Sequence, residues 1–163
     1  MIGPVRTATE WWKDMGGMSE GRMREAGTLL GTEPPVLLIR LVGPDHIPIP
    51  AGEELEPDHK RYKAGWDPTM DAATLYDATR GWWRVSPTSF ARHHAKHAVA
   101  VADGQTRAVY TVDDWIGPRQ DGRYAFKGTM VREGPVFDAY VGPFGKRVAF
   151  PKGSANPIHY WPT

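Results

Sequence analysis

The sequence predicts an α+β fold in which a curled, barrel-like sheet of about six strands is covered by short helices. Three observations carry this expectation. Seven Trp, 18 Gly and 15 Pro in 163 residues favour short elements joined by many turns over a helical bundle. Val36-Leu37-Leu38-Ile39-Arg40-Leu41-Val42 is aliphatic and β-branched and lies between Pro-Pro and Gly-Pro, so it reads as a central strand buried on both faces. Asp103-Gly104, set between two apolar runs, is a strong signal for a hairpin turn. The length suits one domain, residues 34–163, carrying a helical arm, residues 1–33.

In that arm, Thr7 and Glu10 have capping-box spacing, which places Trp11 and Trp12 on a first helical turn. After Gly16-Gly17, Ser19 caps a second helix running to Leu30, with Met23, Ala26 and Leu30 on one face and Gly31 as its stop. The arm is expected to pack on the main domain through Trp11 or Trp12. Beyond the central strand, residues 43–65 are Pro-rich and charged without apolar periodicity, and read as an extended flap loop. It is either a flap near a site or a dispensable insertion, and its Lys60-Arg61-Tyr62-Lys63 patch keeps the first option open.

Asp67-Pro68 is a good cap and first-turn pair, so a helix is expected to about Thr79, with Met70, Leu75 and Ala78 inward and Gly81 as its end. Trp82-Trp83-Arg84-Val85 reads as a short strand whose alternation sends the two indoles to opposite faces, one to the core and one to a cleft or against the N-terminal arm. Ser86-Pro87 repeats the cap-plus-proline signal and starts a helix carrying Phe90, Arg92, His93, His94, Lys96 and His97. Val99 and Val101 lead into the Asp103-Gly104 turn, and Arg107 to Val112 return. Tyr124, Phe126 and Met130 mark one face of a further strand, and Val148 to Phe150 a last one.

Several functions are excluded or weakened at this stage. The chain has no cysteine, so disulfides, thiolate zinc sites, iron–sulfur clusters and a cysteine nucleophile are ruled out together. No apolar run reaches the roughly 18 to 20 residues of a membrane-spanning helix, and the N-terminus lacks the layout of a signal peptide, so a cytoplasmic protein without membrane contact is expected. His93 and His97 have metal-binding spacing on a helix, but no glutamate completes a HExxH pattern, and a basic helix face is the plainer reading. No metal and no cofactor are expected. Asp113 and Asp114 are adjacent, diverge on a strand and read as a turn or helix cap after it. Gly142-Pro143-Phe144-Gly145-Lys146 lacks phosphate-loop spacing and reads as a turn.

The net charge of +1 conceals an asymmetry. Residues 1–79 hold 8 basic and 13 acidic side chains, whereas residues 80–163 hold 12 and 6. A basic half of this kind points to a polyanion-binding surface, although charge dipoles without a partner are common. The richest stretch is Leu75-Tyr76-Asp77-Ala78-Thr79-Arg80-Gly81-Trp82-Trp83-Arg84-Val85. Two indoles between two arginines combine stacking surfaces with phosphate partners, the chemistry by which proteins hold an unstacked base. Two core tryptophans with surface arginines would give the same string.

The strings LYDATRGWWRVS, HAVAVADGQTRAVYTVDDW, RYAFKGTMV, YVGPFGKRV and GSANPIHYW, from Leu75 to Trp161, carry a family resemblance. With the Val36 strand, they make the chain similar to a small bacterial domain found with GIY-YIG-type and other nucleases. Through that domain it resembles the PUA-like superfamily, which includes EVE, ASCH, YTH and SRA domains. The resemblance implies a small PUA-like curled β-barrel that binds DNA or RNA and captures a modified or flipped base in an aromatic pocket, in genome defence or RNA metabolism. Thr79, Arg80, Trp82, Trp83 and Arg84 match its strongest motif and are the expected ligand-binding residues. Arg92, His93, Lys96, Arg123 and Lys127 are the expected phosphate contacts. A nuclease partner is a further expectation, and no catalytic set carries over. Two other classes stand beside this one: an enzyme acting on a nucleotide or nucleic acid through His93, His94 or an Asp, and an antitoxin-like protein-interaction module presenting its Trp-rich face.

Overall fold

The computed structural model describes residues 26–41, 47–150 and 155–162. The expected helices around Trp11, Trp12 and Met23 lie outside these residues. Ala26 onward is not helical: Gly27–Thr28 form a short strand, β1, so a helix from Ser19 does not continue to Leu30.

The core is a mixed sheet. Its strand β2 (Val36–Arg40) runs parallel to β5 (His97–Ala102) and antiparallel to β9 (Ile158–Trp161). β5 turns into the long β6 (Gln105–Ile116) through Asp103 and Gly104, whose φ angles of 52° and 71° are both in the left-handed region, as the Asp-Gly signal requires. β6 pairs along most of its length with β7 (Ala125–Val131) and, at Gln105, with β8 (Lys146–Arg147), which pairs with β1.

Alternation along the central strands divides the interior in two. Leu37, Ile39, Ala98, Ala100 and Tyr110 face one side, where Leu75, Tyr76 and Phe90 cover them. Val36, Leu38, Val99, Val101 and Val109 face the other, under Tyr140 and Phe137. The first cover comes from helices α1 (Ala72–Arg80) and α2 (Pro87–Arg92), the second from α3 (Pro135–Tyr140). Val36 to Ile39 are at most 1% exposed, so β2 is buried on both faces as its composition predicts.

The α+β class is therefore observed, but the described strands form no closed barrel. The sheet is open, with β1 and β9 at its ends. Helices fill both of its faces, a layered arrangement that leaves no lumen for the strands to enclose.

Four local expectations are also corrected. The flap expected over residues 43–65 is, where described, a two-stranded ribbon: β3 (Ile47–Glu56) pairs antiparallel with β4 (His59–Ala64). α1 starts four residues later than expected, because Asp67 uses its carboxylate on Thr69 in a local turn while Asp71 accepts the capping bond from Thr74 N at 2.8 Å. α2 begins as expected with Ser86 as cap and Pro87 in its first turn, but ends at Arg92, so His93 and His97 are not helical neighbours. Asp113 and Asp114 lie within β6 at a bulge opposite Gly128 and Lys127, not in a cap beyond it. Gly128 is required there, since a Cβ would sit 1.7 Å from the Thr111 carbonyl oxygen.

Among the described residues no helix is long and apolar enough to cross a membrane.

Candidate functional site

The Thr-Arg-Gly-Trp-Trp string occupies the junction of α1, the β3–β4 ribbon and the start of β7. Thr79 is fully buried, and its hydroxyl donates to the Leu75 carbonyl one turn back. Arg80 is 2% exposed; it donates to Phe126 O at 2.9 Å, pairs with Glu56 of β3 and lies over the Tyr76 ring. Gly81 lets the chain pass close to β7, since a Cβ there would come within 2.7 Å of Ala125 Cβ.

Trp82 is buried with Leu55 and Ala125, and its indole N–H donates to Glu54 O at 3.2 Å. Trp83 is half-buried against the main core, and its indole N–H donates to Thr79 O at 2.7 Å. Trp83 and Tyr124 exchange two backbone hydrogen bonds of 2.9 Å, an isolated bridge in place of the expected strand. The Arg84 side chain is exposed.

Polar contacts hold the ribbon to itself, to α1 and to the segment after β6. His59 meets Asp77 at 2.9 Å, Arg61 donates to Glu53 at 2.8 Å and to Ala78 O at 3.3 Å, and Arg119 reaches Glu53 at 2.8 Å. Burial pushes the pKa of Glu53 up, but the hydrogen bonds from Arg119 and Arg61 outweigh it and hold the group below the ordinary carboxylate range. Glu56 is also lowered, chiefly by its hydrogen bond from Arg80.

Two recesses lie against Trp82, and their charges differ. One, of about 340 Å³, is bordered by Glu53, Glu54 and Glu56, with Arg119 stacked 4.7 Å over the Trp82 ring. The other, of about 330 Å³, is lined by Trp82 and Trp83 and by Arg40, Arg61 and Arg123, with small residues such as Gly65, Ala78 and Gly81 completing it. No carboxylate is among its described lining residues. Arg61 is already committed to Glu53. Arg123 donates to Trp82 O at 3.4 Å and lies 3.5 Å from Asp121, while Arg40 reaches the cleft from the C-terminal end of β2, over the Phe150 ring.

Guanidinium groups beside indole walls suit an anionic ligand with a planar part, and the volume falls at the small end of ligand sites. The described lining also lacks a histidine, hydroxyl or carboxylate that could act as nucleophile or general base. Among the described residues no group of His, Asp and Glu is placed to hold a metal.

The residues expected from the sequence separate into three groups. Trp82, Trp83 and Arg123 meet at the basic cleft. Thr79 and Arg80 are buried and do not line it; Thr79 is bonded to Leu75 O, and Arg80 to Phe126 O and Glu56. Arg84, Arg92, His93, Lys96 and Lys127 are exposed and do not line the cleft; His93 stacks on Tyr160 of β9 at 3.8 Å, and Lys127 lies 3.5 Å from Glu56. Arg40 and Arg61 were not anticipated as site residues. A single charge ending an aliphatic strand was the available signal for Arg40; Arg61 stood within the noted basic patch.

No known protein family, curated protein or solved structure matches the chain.

Proposed function

We propose that the protein is a nucleic-acid-binding module that holds an unstacked or modified base beside Trp83, with Arg40 and Arg123 as phosphate partners. The observation that carries this reading is the cleft itself: Trp82, Trp83 and three arginines line one recess whose described lining has no carboxylate. The basic C-terminal half supports the same ligand class.

The test is a set of anisotropy titrations with single- and double-stranded DNA and RNA, with and without modified bases, at several salt concentrations. The reading predicts salt-dependent binding that an Arg40→Gln, Arg123→Gln double variant weakens. Binding indifferent to both arginines and to Trp83, or no binding to any of these ligands, refutes it.

A further inference from the structure

Five charged side chains form a continuous belt beside Trp82, and both ends of the belt line the basic cleft. The connection between β6 and β7 supplies Arg119, Asp121 and Arg123. It is a closed turn, in which Arg119 N donates to Arg123 O and Gly122 N donates to Arg119 O, each at 2.9 Å. Asp121 organises this turn. One of its oxygens accepts from Arg123 N at 3.1 Å and from Arg119 Nε at 3.3 Å, while the other accepts from Arg119 Nη2 at 2.8 Å and lies 3.5 Å from Arg123 Nε. The ribbon supplies the other two members. Glu53 of β3 accepts from Arg119 Nη1 at 2.8 Å on one oxygen, and its second oxygen meets Arg61 Nε at 2.8 Å and Nη2 at 2.6 Å.

The order is therefore Arg123, Asp121, Arg119, Glu53, Arg61, with alternating sign. Arg123 and Arg61 line the cleft, whereas Arg119 and Glu53 border the other recess, where Arg119 lies over the Trp82 ring. The two cleft arginines are held differently. Arg61 is 8% exposed and fixed by its two short contacts to Glu53. Arg123 is half-exposed, and its side-chain contacts are long, 3.4 Å to Trp82 O and 3.5 Å to Asp121. Arg123 is thus the guanidinium with freedom to turn to a ligand, and Asp121 is the anion already beside it.

Arg119 draws both carboxylates to the middle of the belt. Its hydrogen bond holds the Asp121 carboxyl below the ordinary range. Burial lowers the pKa of Arg119 itself, but the hydrogen bonds to Asp121 and Glu53 outweigh that effect and raise it. Three guanidiniums and two carboxylates leave the belt with a single net positive charge. Without Arg119 the two carboxylates would balance Arg61 and Arg123; without the Asp121 charge, a second positive charge would be uncompensated.

We infer that Arg119 and Asp121 set the anion affinity of the cleft from outside it: Asp121 competes with a bound phosphate for Arg123, and Arg119 is a positioning residue that draws Asp121 and Glu53 away from the two cleft arginines. This inference rests on the reading of the cleft as a phosphate-contacting site and adds the charges that tune it. Neither residue lines the cleft, so each acts through Arg123 or Arg61.

The experiment titrates single-stranded DNA and RNA of about ten nucleotides with the full chain and its Arg119→Gln, Arg119→Lys and Asp121→Asn variants, and with the Arg119→Gln, Asp121→Asn double variant, at one low salt concentration. Asparagine keeps an oxygen that can accept from Arg123 N and Arg119 Nε, so the turn is retained when the charge is lost. Arg119→Gln is expected to weaken binding by about 3- to 10-fold, the effect of one charge several ångströms from the ligand at the protein surface. Arg119→Lys is expected to bind like the parent, and Asp121→Asn to bind about 2- to 5-fold more tightly. The double variant is expected to return to within about twofold of the parent. Loss of structure weakens binding and restores nothing, so the tightening and the restoration are the deciding results; where Arg119→Gln fails to fold, Asp121→Asn decides alone. Asp121→Asn no tighter than the parent, in a protein whose binding the Arg40→Gln, Arg123→Gln variant weakens, overturns this inference alone. Failure of the parent to bind either oligonucleotide, or binding indifferent to Arg40 and Arg123, overturns the cleft reading and this one together.

Discussion

Arg80 and Glu56 hold α1 and the β3–β4 ribbon together across the interior end of the Thr-Arg-Gly-Trp-Trp string. The guanidinium is buried, while the carboxylate remains partly exposed and also lies 3.5 Å from Lys127. Because Arg80 additionally serves the Phe126 carbonyl and the Tyr76 face, its removal breaks contacts to three elements at once.

Arg80→Leu should therefore destabilise the fold by about 2 to 4 kcal/mol, the range for breaking a buried ion pair whose partner can be partly rehydrated. Urea unfolding of the two proteins measures it. Lysine at this position should recover little, since a single ammonium cannot serve Glu56 and Phe126 O in the same planar geometry. A variant as stable as the parent would show that Arg80 is not structural.

Acid should loosen the ribbon. Glu56 and Glu53 both have folded-state pKa values below their ordinary range, through the Arg80 bond for the first and through Arg119 and Arg61 against burial for the second. A depressed carboxylate pKa contributes stability that is fully present above the unfolded value, about 4.3, and is lost as pH falls through the folded value. Unfolding midpoints measured from pH 6 to pH 2 should fall in that window, and a Glu53→Gln, Glu56→Gln double variant should show a shallower fall. Identical profiles would contradict the assignment.

Local chemistry made part of this fold legible. Asp103-Gly104 demanded a hairpin, Ser86-Pro87 a helix start, and the aliphatic run from Val36 a doubly buried strand, because each signal acts within a few residues. The ribbon was illegible for the opposite reason. Its inward positions include Arg61, which is buried by pairing with Glu53, so no apolar alternation marks it. The cleft combines Arg40, Arg61 and Arg123, which come from three separate segments and share no sequence spacing. The alternation of the Trp-Trp dipeptide did not say which indole goes inward; in the structure Trp82 is 7% exposed and Trp83 is half-buried.

Trp82 and Trp83 should respond differently to substitution. Trp82 is 7% exposed within the Leu55 and Ala125 cluster, so Trp82→Ala should cost roughly 3 to 5 kcal/mol of stability. Trp83→Phe retains an aromatic ring and loses the bond to Thr79 O; it should cost about 1 kcal/mol of stability, with stacking of a bound base weakened. Thermal melts and oligonucleotide titrations on both variants separate these effects. Equal loss of stability in the two would assign both indoles to the core.

Gly81 is a test of the close approach between this string and β7. A methyl group there would meet Ala125 Cβ at 2.7 Å, a contact between two small groups that have no flexible end to move aside. Gly81→Ala should destabilise by about 1 to 3 kcal/mol, as overpacking of a tight interior does. Pairing it with Ala125→Gly should return much of the loss, because the second change removes the atom that the first one strikes. A double variant no more stable than Gly81→Ala would locate the damage elsewhere.

The sharpest division is between two sets of basic residues. Arg40 and Arg123 line the cleft, whereas Arg92 and Lys96 are exposed around the end of α2 and line none of it. If phosphate contacts are made at the cleft, Arg40→Gln with Arg123→Gln should weaken nucleic-acid binding and reduce its salt slope by about 1.4 to 1.8, since each phosphate contact contributes roughly 0.7 to 0.9. Arg92→Gln with Lys96→Gln should then leave the slope nearly unchanged. The reverse result would move the contact surface to α2, and the paired indoles would lose their place in recognition. Arg40 is the half-buried last residue of β2 and its guanidinium lies over the Phe150 ring, so its loss should show in affinity before stability.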